Sequence, residues 1–165
     1  MVLNPWEPCT KRTCTVCADL SNQQVVSTTT GREFKIRHSS NCTTTNVVYL
    51  LTCSTCSKQY VGETKRASLV RYKEHLSDVR NKRDKPVSNH VATHSNNDTK
   101  LIPQILEIIH KNPDEDETKA LRLKRELHWI YTLRTLSPDC LNSCPPAPIY
   151  WGRGTMNYPP YVRLS

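Results

Sequence analysis

Thr45-Asn46-Val47-Val48-Tyr49-Leu50-Leu51-Thr52-Cys53-Ser54-Thr55-Cys56-Ser57-Lys58-Gln59-Tyr60-Val61-Gly62-Glu63 is the stretch that decides the fold. Thr45–Thr52 is rich in β-branched and aromatic residues and reads as a buried strand. Cys53-Ser54-Thr55-Cys56 follows as a tight turn, and Lys58–Glu63 reads as a second strand. Two strands around so short a connection make an antiparallel hairpin. The turn also carries a Cys-x2-Cys pair, whose two thiolates can reach one ion.

Downstream, Ala67–Arg80 reads as an amphipathic helix with Leu69, Tyr72, Leu76 and Val79 at helical spacing. Arg71 and His75 are four apart, so they stand one above the other on the flank of that stripe. Leu101–His110 reads as a third strand, and Pro103 makes it an edge strand or places it at a strand beginning. Asn112-Pro113-Asp114-Glu115 is a helix start with Asn as cap and Pro at the first position. That helix is expected to run to about Leu136, with Leu123, Leu127, Ile130 and Leu133 as its core stripe. At about 100° per residue, Glu126 falls on the same stripe. A carboxylate facing a core costs several kcal/mol unless it is paired or binds a metal. Either a cation or an ion pair with Arg71 or Arg122 answers that cost. From Pro145 onward, five prolines give an extended tail.

Upstream, residues 1–43 are polar, with strand-like pieces at Gln24–Ser27 and Arg32–Ile36. Cys9, Cys14, Cys17 and Cys42 form a four-thiolate set of the kind that closes a structural zinc site, with His38 as a substitute ligand. His90-x3-His94 supplies two imidazoles that complete a Cys2His2 set with Cys53 and Cys56. About two structural Zn²⁺ per chain are expected, each contributing on the order of 10 kcal/mol of folding free energy. The chain needs them. Only 36% of its 165 residues are hydrophobic, with one Phe and two Met, so its core is thin. Cys140 and Cys144 read as a pair of reduced cysteines in a loop. Met1–Pro8 lacks the pattern of a secretory leader, which gives disulfides and the Asn41 and Asn97 sequons no support. No run of 18 apolar residues exists, so no membrane partner is expected. The net charge of +8 favours a polyanion such as nucleic acid, and Arg80, Lys82, Arg83 and Lys85 fall within six residues.

Val47-Val48-Tyr49, then ten residues, then Tyr60-Val61-Gly62-Glu63-Thr64 resembles the motif pair of the GIY-YIG nucleases, with Val47 and Val48 where Gly and Ile are usual. Arg71 and His75 on the following helix, Glu126 within Arg125-Glu126-Leu127-His128-Trp129-Ile130, and Asn142 also fit. Cys140 stands where the family tends to have Gly. The Cys53/Cys56 insertion and the upstream cysteines resemble the endonuclease domain of Penelope-like retroelements, over about residues 9–145. The resemblance implies an α+β fold, a small three-stranded antiparallel sheet flanked by helices. It also implies nicking of double-stranded DNA with one divalent cation, Mg²⁺ or Mn²⁺, held by Glu126. Tyr49, Tyr60, Arg71, His75 and Asn142 complete the implied catalytic set. Arg71 is suited to clamp a phosphate bidentately. Gly62, Lys65, Arg66 and the basic run at Arg80–Lys85 are expected to face DNA. Implied partners are a reverse transcriptase domain in the same polyprotein and the element's RNA, in the nucleus, for target-primed reverse transcription. The expected layout is a Cys-rich zinc extension at 1–43, a nuclease domain at 44–145 and a Pro-rich tail at 146–165. A non-catalytic zinc-dependent nucleic-acid-binding module is the alternative, and a protein-interaction domain the third reading. Neither needs a carboxylate on the core stripe of a helix.

Overall fold

Side chains alternate along β3 (Val47–Cys53), sending Val47, Tyr49 and Leu51 to one face and Val48 and Leu50 to the other, and all five are buried. A strand apolar on both faces belongs in the middle of a sheet covered on both sides. The computed structural model describes residues 9, 14, 17, 24–95 and 98–143, so Cys144 and the expected tail lie outside the described residues. In chain order the elements are β1 (Val25–Val26), β2 (Glu33–Phe34), β3, β4 (Gln59–Thr64), α1 (Ser68–Arg80), α2 (Pro86–Ala92), β5 (Leu101–Ile108) and α3 (Glu115–Leu133). The main sheet is antiparallel with order β4-β3-β5. Pro103 lies on the edge strand β5 opposite Leu51, as its missing N–H requires. No described helix is long and apolar enough to cross a membrane.

Each face has its own core. On one side Val47, Tyr49, Leu51 and Ile105 pack with Tyr72 of α1, Val87 of α2 and Cys42. On the other Val48, Leu50, Val61 and Leu106 pack with Ile130 and Leu133 of α3 and with Val25. The small β1–β2 hairpin seals this second core, with Phe34 edge-on to Trp129 at 5.8 Å.

Helix α3 departs from its sequence reading in two ways. It begins two residues beyond the expected Pro113 start. Asn112 is occupied elsewhere, its backbone N–H donating to Thr118 Oγ1, and Asp114 caps instead by accepting from the Asp116 N–H at 2.8 Å. It ends at Leu133, ahead of the expected Leu136, where Arg134 takes a left-handed conformation at φ 55°. Its buried face is Thr118, Arg122, Ile130 and Leu133, while Leu123 and Leu127 are half-buried. The face is rotated toward polar residues that have partners of their own: Thr118 bonds the Asn112 N–H and the Asp114 carbonyl, and Arg122 bonds the side chains of Glu63 and Asn46.

Candidate active site

Tyr49 of β3 is paired with Gly62 of β4, and Tyr60 is paired with Leu51, so both phenols stand on the α1 face of the sheet. Helix α1 brings Arg71 and His75 over them. Arg71 Nε donates to Tyr49 Oη at 3.0 Å, and Tyr49 Oη lies 2.8 Å from His75 Nε2. A hydroxyl that accepts from a guanidinium has its single proton free for the imidazole. Tyr49 therefore donates to a neutral His75. The electrostatics agree, because burial and then the Arg71 charge push His75 down to about 4. Burial also holds both phenols above their ordinary value, with the other phenol acting on Tyr49 and the Glu126 charge on Tyr60. The Tyr60 ring packs edge-on against His75 with centroids 5.7 Å apart.

Gly62 is required by this packing. A Cβ there would collide with the Tyr49 hydroxyl and sit 3.0 Å from the Tyr60 ring. The close approach at Gly62, expected for DNA, is made by Tyr49.

Glu126 of α3 lies near enough that its charge acts on Tyr49 and Tyr60 and that Arg71 acts on it. Among the described residues it belongs to no ion pair: Arg71 pairs with Glu74 at 3.0 Å, and Arg122 pairs with Glu63 at 2.7 Å. Both structural salt bridges considered for Glu126 are thereby excluded. Burial and the neighbouring Glu63 charge push it up to about 7, against Arg71 and the Glu63 backbone N–H, which act to lower it. A half-buried carboxylate in no ion pair, within electrostatic reach of two phenols, fits a hard divalent cation that takes one carboxylate plus waters and phosphate oxygens.

Asn142 is in a different position. Its Oδ1 accepts from the Val61 N–H at 2.8 Å and from Thr135 Oγ1 at 2.7 Å, and its Nδ2 donates to the Val61 carbonyl at 2.8 Å. It is buried, with its amide committed to the backbone of β4. Asn142 thus fixes the strand between Tyr60 and Gly62 and does not present a group to the cleft. Cys140, in the same loop, is reduced and buried and lies 3.4 Å from Thr29 Oγ1.

Sequence reasoning gave Arg122 no role of its own. It is buried, with Nε on Glu63 and an Nη on Asn46 Oδ1 at 2.8 Å, and Asn46 holds φ 52°. Its pairing with Glu63 offsets part of the second negative charge that stands near Glu126. The signal available was spacing, since Arg122 is one turn before Glu126 on the same line of the helix.

The predicted basic residues fall into two groups, all exposed. Lys65 and Arg66 precede α1, and Arg66 is tied to Arg71 through their shared partner Glu74. Arg80, Lys82, Arg83 and Lys85 lie at the far end of α1, and Arg83 contacts Asp78 at 3.6 Å.

Two further clusters have metal-binding geometry. Cys53, Cys56, His90 and His94 bring all four ligand atoms within 4.8 Å of one another, as do Cys9, Cys14, Cys17 and Cys42. In the first, Cys53–His94 is 3.5 Å, Cys56–His90 3.2 Å and His90–His94 3.2 Å. In the second, Cys9–Cys17 is 3.5 Å and Cys14–Cys42 3.6 Å. Ligand bonds to tetrahedral zinc imply edges of roughly 3.3–3.8 Å, so both donor sets fit Zn²⁺. No described cysteine forms a disulfide. His38 is not a substitute ligand. Its Nε2 sits 3.1 Å from the Leu106 carbonyl on β5, because that edge offers an acceptor.

The family model for the GIY-YIG catalytic domain matches residues 45–138. Among solved structures, the catalytic domain of homing endonuclease I-TevI is similar, with a TM-score of 0.44 and 20% identity over 61% of this chain and 99% of that one. No curated protein matches the chain significantly.

Proposed function

The chain belongs to the GIY-YIG family, and from that premise we propose that it is a zinc-stabilised, Mg²⁺- or Mn²⁺-dependent endonuclease that nicks double-stranded DNA. The observation that carries this reading is the convergence of Tyr49, Tyr60, Arg71 and His75 on one face of the hairpin, with Glu126, a carboxylate in no ion pair among the described residues, close enough for its charge to act on both phenols. Glu126 would hold the cation, which when bound supplies positive charge to the phosphate oxygens. Arg71 binds the scissile phosphate, its guanidinium oriented by Tyr49 and Glu74. The two phenols orient the attacking water. His75, neutral at its post, takes up a proton through the Tyr49 hydroxyl. Asn142 and Gly62 hold the strand and the Tyr49 ring in register.

Within this reading, residues 1–43 are a Cys-rich extension, residues 44–145 the nuclease domain with its Cys2His2 insertion, and residues 146–165 a tail. Lys65, Arg66 and the Arg80–Lys85 run contact flanking phosphates. The narrower proposal is cleavage of target DNA for insertion of a Penelope-like retroelement, in the nucleus, beside the element's reverse transcriptase and RNA. The insertion of Cys53 and Cys56 between the two tyrosines, paired with His90 and His94, supports it. Incubation with supercoiled plasmid and Mg²⁺ tests the central claim. Wild type is expected to nick, and Glu126→Gln to lower the rate by about three orders of magnitude. Absence of nicking by wild type, or equal rates for the two proteins, removes the assignment. Salt-sensitive binding without cleavage would favour a nucleic-acid-binding module.

A further inference from the structure

Helix α1 has no cap of its own. Its cap residue is Ala67, no side chain bonds its first amides, and no acidic residue lies in its first turn. The orphan donors of a helix start must nonetheless be met. They are met from the loop that carries Cys42: the Ser68 N–H donates to the Thr44 carbonyl at 2.9 Å, and the Leu69 N–H to the Cys42 carbonyl at 2.8 Å. Ser68 Oγ adds a bond to the Asn41 carbonyl at 3.2 Å. The loop is itself knitted, with Asn41 Oδ1 accepting from the Thr43 N–H and the Thr44 N–H donating to the Asn41 carbonyl. One residue, Cys42, thus turns its carbonyl to the catalytic helix and its thiol to the four-cysteine cluster.

We infer that the Cys9/Cys14/Cys17/Cys42 cluster is a positioning site for the catalytic helix, which holds Arg71 and His75 on Tyr49 when a thiolate-seeking cation such as Zn²⁺ closes it. This rests on the nuclease reading above for its catalytic consequence and on bonds in the structure for its mechanical one. Arg71 follows Leu69 by two residues and His75 lies one turn further, so a displaced helix start disturbs the 3.0 Å and 2.8 Å contacts to Tyr49. Cys42 also packs in the same core as Tyr49 and Tyr72, so the cluster touches both sides of the contact it registers. The Cys53/Cys56/His90/His94 cluster differs. It sits at the far end of β3, four residues from Tyr49 or roughly 13 Å along the strand, and supplies nothing to the start of α1.

The test uses Cys9→Ser, which removes a thiolate without altering the 41–44 loop, beside Cys9→His, which keeps a ligand, and Cys56→Ser, which disables the other cluster. Zinc content, amide exchange at Ser68 and Leu69, and plasmid nicking are read on the full chain. Cys9→Ser is expected to drop from about two zinc ions to about one. It should lose about tenfold protection at Ser68 and Leu69 and nick at least tenfold more slowly, with Val48 and Leu50 in β3 still protected. Cys9→His restores all three readouts, and Cys56→Ser keeps the two α1 amides protected. Unchanged protection at Ser68 and Leu69 in a one-zinc Cys9→Ser protein overturns the inference. So does equal loss of protection throughout β3, which would mark a general fold requirement. If wild type does not nick at all, the nuclease reading fails, while the exchange pattern still decides whether the cluster positions α1.

Discussion

Helices α1 and α3 deliver side chains to one cleft but are anchored in opposite ways. Helix α3 is locally self-sufficient: Asp114 caps it and Glu115, Asp116 and Glu117 line its first turn, where the helix dipole favours negative charge. Helix α1 borrows the carbonyls of Cys42 and Thr44 from a loop more than twenty residues upstream. The helix that carries Glu126 is therefore capped from its own segment, whereas the helix that carries Arg71 and His75 depends on distant chain and, through Cys42, on the four-cysteine cluster.

The largest test of that contrast is zinc removal. Stripping both sites is expected to cost on the order of 10 kcal/mol per site, with amides at the start of α1 opening before those of α3. Uniform loss along both helices in exchange measurements would erase the distinction. On the α3 side, Arg122→Ala leaves Glu63 without its 2.7 Å partner and should cost about 3 kcal/mol by urea unfolding. A loss below about 1 kcal/mol would show that Arg122 is replaceable there.

The α1 side carries a pH dependence of known sign. His75 is held at about 4 by burial and Arg71, with Tyr49, Tyr60, Glu74 and Asp78 as its other ionisable neighbours. Its folded value lies below the unfolded one, so its contribution is complete above about pH 6.5 and declines as pH falls toward 4. About 3 kcal/mol should be lost across that window. The difference between wild type and His75→Gln isolates it, and parallel stability profiles for the two would refute it. The smallest effect compares the caps directly. Asp114→Ala should cost about 1 kcal/mol. Ala67→Asp should gain less than about 0.5 kcal/mol, because the amides it would serve are already bonded.

How much of this was legible follows from where polarity and apolarity coincide with position. The hairpin, α1 and the edge strand were readable because β-branched runs, helical spacing and a proline report burial directly. Tyr49, Tyr60, Arg71 and His75 could be singled out because a family pattern fixes their spacing, and the structure sets these four in mutual contact. Helix α3's inner face was misread because its buried members include Thr118 and Arg122. Residues that serve backbone groups and a half-buried carboxylate look like solvent-facing ones in a hydrophobicity pattern. The places of Asn142 and His38 were hidden for a related reason. The Asn142 amide and the His38 Nε2 meet backbone groups on strand rims that only the assembled sheet creates.

Those rims have a consequence for self-association. On β4, Asn142 occupies Val61, and the Leu141 N–H occupies the Gln59 carbonyl. On β5, Pro103 has no N–H to offer, and His38 lies on the Leu106 carbonyl. At the β4 border an incoming strand from a neighbouring copy finds Val61 and Gln59 already claimed, and at the β5 border it meets a proline where a donor would be needed. Both features work against copies of the chain zipping edge to edge into a continuous ribbon.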